Sequence, residues 1–119
     1  MAEIVAHMAD AEIAMSWRWR QILSTNKVPI QAYDQGSWAA TFDYAHREPR
    51  EALELFRVLR MSNVALLASV PRGLWRNYGV HQERGNESVT HLVRLMAGHD
   101  LNHLKQIEEL LKPKRPAAR

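Results

Sequence analysis

The chain contains no cysteine. That excludes disulfides, thiolate metal ligands and a cysteine nucleophile, and leaves histidine, aspartate and glutamate as its strong metal ligands. Long apolar runs are missing too. The longest, Val64 to Ala68, is far too short to span a bilayer. Glu3, His7, Asp10 and Glu12 interrupt any signal-peptide core, so the expected location is cytoplasmic. There is no Gly-rich phosphate loop, no Gly-x-Ser-x-Gly and no His-Glu-x-x-His, which removes a zincin protease. Strict apolar–polar alternation and Asn-Gly hairpin signals are also lacking, so no strands are expected.

What remains is a 119-residue chain, 46% apolar and 24% charged, the size and composition of one ordinary globular domain. Its formal charge of +3 suggests a nucleic-acid partner until its distribution is considered. Lys112, Lys114, Arg115 and Arg119 lie in the last eight residues, and the rest carries 12 bases against 13 acids. The body is near neutral. A domain over 1–112 with a disordered, solubilising basic tail over 113–119 is expected, and nucleic-acid binding is disfavoured.

Helical periodicity dominates. A first long helix is expected from Ala2 to Thr25, with a seam of Ile4, Met8, Ala11, Met15, Arg18 and Ile22, although nothing before it offers a side-chain cap. A second, from Glu48 to Val70, carries Ala52, Phe56, Leu59, Asn63, Leu66 and Val70 on its seam. Asn63 is a polar intruder there, expected to fix register or meet a hydrogen-bonding partner. A third, capped by Asn86 or Ser88, runs to Leu111 through Val89, Val93, Met96, Asp100, His103, Ile107 and Leu110. A short helix capped by Ser37 fits the first connection, where Trp38, Phe42 and Tyr44 would close one end of the core. Helices of about 35–39 Å argue for an all-α, up-down bundle.

The last helix holds the chemistry. His99 and His103 stand four residues apart, one turn apart on one face, and can share an ion. They lie where the core face turns polar. Burying Asp100, His99 and His103 without partners would cost several kcal/mol, and a metal would satisfy them. Two histidines make an incomplete site. His7 on the first helix, flanked by the small Ala11 and Ala14, completes it if those two helices are neighbours; alone it reads as a surface or satisfied core histidine. His81 and Glu83 in a loop compete as ligands, or as acid and base over the open position. Asp10 and Asp100 are candidates to orient the imidazoles. His91 falls on another face, and His46 has no partner in sequence.

The run from Ile4 to Glu12, the segment Gly79 to Gly85 and the stretch Ala97 to Ile107 with its His-Asp-x-x-His resemble the DinB-like (YfiT-like) family, as does the middle segment from Trp38 through Arg60-x-x-Asn63. The likeness covers nearly the whole chain, and the last motif is its most specific part. It implies a four-helix-type bundle in which His7, His99 and His103 bind nickel, zinc or iron. It also implies a metal-dependent thiol transferase or hydrolase acting on a small molecule, with bacillithiol or mycothiol as thiols used by relatives. A non-catalytic, metal-stabilised or dimerising module is the alternative. One departure stands out: family members carry a further helix ahead of the segment that opens this chain. Its lack implies a start codon set too late or a truncation. The truncated form would expose an apolar groove, favour a homodimer and leave His7 the weakest ligand.

Overall fold

The computed structural model describes residues 1–113, so the expected tail lies outside the described residues beyond Pro113. Three long helices, α1 (Ala2–Ser24), α3 (Pro49–Ser69) and α4 (Val89–Leu111), form the body, with a short α2 (Gln35–Thr41) in the first connection. The expected boundaries hold to within a residue or two. Glu48 accepts from the Arg50 amide, with Pro49 in the first turn of α3, and the Ser88 hydroxyl accepts from the His91 amide to start α4. α1 begins with no side-chain cap.

Two expectations are corrected. α2 is capped by Asp34, whose Oδ1 accepts from the Ser37 amide, so Ser37 is inside the helix rather than its cap. Strands are present: β1 (Val28–Ile30), β2 (Tyr78–His81) and β3 (Gly85–Ser88) form a small sheet in the order β1-β2-β3. β1 runs parallel to β2, with Ile30 opposite His81, and β2 and β3 make an antiparallel hairpin. Segments this short are invisible to a periodicity test. Gly79 has to be glycine, because a Cβ there would come within 2.5 Å of the Ile30 side chain. Gly85 opens β3 at φ 78°, a left-handed backbone that glycine adopts without strain.

Two asparagines pin this sheet to the end of α1. Asn77 Nδ2 donates to the Ile22 and Leu23 carbonyls, and Asn26 Oδ1 accepts from the Tyr78 amide. Beneath lies the larger apolar cluster of Met15, Trp19, Ile22, Leu23, Ile30, Val89 and Leu92. Fully burying a side chain such as Ile22 or Val89 stabilises the fold by about 1.5–3 kcal/mol. A smaller cluster, Val5, Ala9 and Ala52 with Leu55 and Phe56, packs α1 on α3 at the other end. Of the three aromatics expected to close the core, Tyr44 alone is buried, its hydroxyl donating to Asp10 Oδ2 at 2.5 Å. Phe42 is exposed, and Trp38 stacks on Tyr33 instead.

α1 is the spine of the body, and its seam is buried or half-buried along its whole length. The fourth side, between α3 and α4, stays open as an apolar groove lined by Val64, Leu67, Val93, Met96 and Ala97, with Trp19 as its floor. Beyond Ala97, α4 leaves the core, and Leu101, Leu104 and Leu110 are exposed. Among the described residues no helix is long and apolar enough to cross a membrane.

Candidate metal centre

Polar side chains interrupt the helical core in two groups. In the first, Glu12 of α1, Arg60 and Asn63 of α3 and Asp100 of α4 close on one another. Arg60 Nε donates to both Glu12 oxygens at 3.0 Å, while Nη1 and Nη2 donate to the two Asp100 oxygens at 2.6 and 3.2 Å. Burial alone would depress the Arg60 pKa, but Asp100 and Glu12 outweigh it and hold the guanidinium more firmly charged than usual. Asn63, 2% exposed, donates to Ser16 Oγ at 2.8 Å and to Glu12. The partner expected for this polar intruder is therefore Ser16 and Glu12 across α1.

The second group is the histidines. α1 and α4 are neighbours, and their packing brings His7 to the His99–His103 pair. His7 Nε2 lies 2.9 Å from His99 Nε2, and His103 Nε2 lies 3.1 Å from it. The three rings stand edge-on to one another, with interplanar angles of 60°, 66° and 79°. One ion holding imidazole nitrogens at about 2.0–2.1 Å sets them about 3 Å apart, so the donors match that spacing. The three side chains offer nitrogens that all lie within 4.8 Å of one another, and they could hold a metal ion.

The protonation states suit ligands. Burial lowers the His7 pKa to about 4, helped by the neighbouring His99 and His103 and opposed by Asp10. His99 is lowered by burial and by His103. Both are neutral at pH 7. His103 Nδ1 sits 2.7 Å from Gln106 Oε1, an acceptor, which places the ring proton on Nδ1 and leaves the Nε2 lone pair facing the cluster. His99 Nδ1 is buried with no protein partner. At the centre, a proton on His99 Nε2 can serve only one of its two neighbours well, which leaves a lone pair there free for a further group.

The orienting aspartates are elsewhere. Asp10 is taken by Tyr44 and Asp100 by Arg60, so neither hydrogen-bonds a ring of the histidine cluster, and Gln106 does so instead. Gln106 was readable from its position one turn after His103. Arg60 was not, because a long cation on a helix face ordinarily reads as solvated. His91 is exposed beside Glu87, and His46 pairs with Asp43 on the surface.

His81 and Glu83 sit across an open cavity of about 630 Å³ that also reaches His99. His81 is buried, and its Nδ1 accepts from the amides of Glu83 and Arg84 to hold the hairpin turn. Its pKa is lowered, by burial first and then by Arg84, so the neutral ring carries its proton on Nε2. His81 is thereby a donor, and Glu83, exposed at the turn, is the free carboxylate of the cavity wall.

The chain is similar to known proteins. The chain is 28% identical over 114 residues to a protein of Oceanobacillus iheyensis named "Putative metal-dependent hydrolase OB0782", a match over 94% of this chain and 64% of that protein. The chain thus spans just under two thirds of the curated relative's length. Its fold matches YfiT from Bacillus subtilis, described as "a probable metal-dependent hydrolase with an unusual four-helix bundle topology". That superposition has a TM-score of 0.86 and 23% identity, and covers 92% of this chain and 63% of YfiT. The family model of the DinB superfamily matches residues 1–107, from the start of α1 to the last turns of α4, and the chain belongs to that superfamily.

Proposed function

We propose that His7, His99 and His103 hold one divalent ion, nickel, zinc or iron, and that the site serves a metal-dependent hydrolase or thiol transferase acting on a small molecule. The observation that carries this reading is the meeting of three Nε2 atoms from two helices at 2.9 and 3.1 Å. When bound, the ion supplies a lowered pKa to a water or a low-molecular-weight thiol, making a nucleophile at neutral pH. The chain's own residues do the rest. His103 is oriented by Gln106, and the Arg60 network fixes α1 against α4 so that His7 stays opposite the pair. Across the cavity, Glu83 is the proton acceptor and His81 Nε2–H the donor to substrate.

The test is the metal content of purified protein. About one ion per chain is expected in the wild type and almost none in His103→Ala. Equal, negligible metal in both sinks the site. Turnover of thiol–electrophile pairs or activated esters, lost with the metal, separates the enzyme from the alternative of a non-catalytic, metal-stabilised module.

The open groove favours a homodimer as part of this reading. Met61 and Val64 on α3, with Leu101 and Leu104 on α4, are exposed apolar side chains on the two helices that wall the groove. Light scattering should give twice the chain mass, falling to the monomer in Leu104→Glu. A monomeric wild type rules the dimer out.

A further inference from the structure

The cavity beside His99 is walled by more positive charge than its acids can balance. Arg18 of α1, Arg84 of the hairpin and Arg94 of α4 all line it. Arg84 is committed, its Nε and Nη2 each 3.0 Å from a Glu87 oxygen. Among the described residues Arg18 and Arg94 form no ion pair with a carboxylate. Arg18 is half-buried; it spends one donor on the Gln31 carbonyl at 3.1 Å and lies 5.4 Å from the centre of the Tyr33 ring. That leaves most of its five N–H groups unspent. Glu83 is the single carboxylate on the lining. The remaining wall mixes neutral polar side chains, Gln35 and Asn102 among them, with an apolar strip of Met15, Leu92 and Leu95 on the helical side.

We propose that this cavity is an oxyanion subsite, in which Arg18 and Arg94 grip the carboxylate or phosphate of a small substrate whose apolar body lies on Met15, Leu92 and Leu95. The inference rests on the metal-site reading for one point only, that the reactive end of such a substrate reaches His99. A guanidinium is the side chain suited to the task, because its planar fork matches both carboxylate and phosphate. A volume of about 630 Å³ suits a small organic anion, and a few polar groups set in an apolar wall are the usual make-up of a small-molecule pocket. The field is visible in its neighbours. Burial is the main cause that lowers the Arg18 pKa, with repulsion from Arg84 adding to it, and at His81 burial is again first, with Arg84 and Arg18 adding to it. Tyr33 and Glu87 offset part of that repulsion at Arg18, and an incoming anion would offset more.

Benzoate, phenyl phosphate and neutral benzamide are the probes, titrated by calorimetry at low chloride into wild-type protein stripped of metal and again after metal is restored. Benzoate or phenyl phosphate should bind in both states and benzamide in neither; which of the two binds tells a carboxylate substrate from a phosphorylated one. Arg18→Gln should weaken the anion at least about 10-fold, the loss of one charge-assisted hydrogen bond. Arg94→Gln, at an exposed position, should weaken it without disturbing the fold. His103→Ala should leave stripped-protein affinity unchanged, so failure of the metal site and failure of the subsite are told apart. The proposal is overturned if neither anion binds, if benzamide binds equally well, or if both arginine variants keep wild-type affinity. It is also overturned if the anion binds only with metal present and ignores Arg18 and Arg94, because the oxyanion then sits on the ion.

Discussion

Two polar clusters interrupt the same helical core, and they are built on opposite plans. The Glu12–Arg60–Asn63–Asp100 cluster joins α1, α3 and α4 with unlike groups, and its acids, its guanidinium and its amide all find partners within it. The His7–His99–His103 cluster joins α1 and α4 with three copies of one group, and it leaves His99 Nδ1 unsatisfied. A closed polar cluster holds the fold; an open one is kept for something that arrives. Proximity alone does not separate them, since both are groups of polar side chains gathered between α1 and α4. The difference is whether donors and acceptors cancel.

The largest expected effect breaks the closed cluster. Arg60→Met should cost roughly 3–5 kcal/mol, because Glu12, 2% exposed, is left as a buried carboxylate without its cation. Urea unfolding of the metal-free protein measures it. His103→Ala in the same assay should cost much less, because its neighbours are neutral and its edge of α4 is half open. Equal losses in the two variants would erase the distinction between a cluster that holds the fold and one that does not.

A middle effect sharpens the open cluster. Gln106→Ala frees the His103 ring to turn and to carry its proton on Nε2, the atom proposed to bind the ion. Partners of this kind typically contribute about 10–100-fold in metal affinity. Competition with a chelator of known strength should show a loss in that range with the unfolding midpoint of the metal-free protein little changed. An unaltered affinity would mean that the helix backbone, not Gln106, sets the ring.

The two clusters also differ in how far they could be read from the sequence. The histidines were legible because their spacing carries a geometric meaning within one helix, and because the break in the α4 seam at Asp100 and His103 demanded a partner. Their third member, His7, needed only the adjacency of α1 and α4. Arg60 was not legible as the hub, since its partners lie 48 and 40 residues away and a single arginine on an amphipathic helix has no local signature. The sheet escaped for a related reason. Strands of three and four residues owe their existence to pairing across the chain and to the close approach at Gly79, neither of which leaves a periodic trace. The bundle, by contrast, is written in seams of twenty residues or more, where local periodicity and tertiary burial agree.

The smallest effect separates the clusters by pH. His7 is held to about 4 in the folded protein by burial and by the other two imidazoles, against an ordinary 6.5 in the unfolded chain. As pH falls through that window the unfolded state binds the proton first, so the contribution of a neutral His7 is complete above 6.5 and drains away towards 4. His99 shifts in the same direction and adds to it. Metal-free wild type should therefore lose melting temperature steadily from pH 7 to pH 4.5, and His7→Gln should lose less over the same range. Added metal ought to steepen the curve of the wild type alone, since protons and the ion compete for the same lone pairs. A melting temperature of metal-free wild type and His7→Gln that fell in parallel would assign the acid sensitivity to other groups and leave the open cluster without a titratable signature.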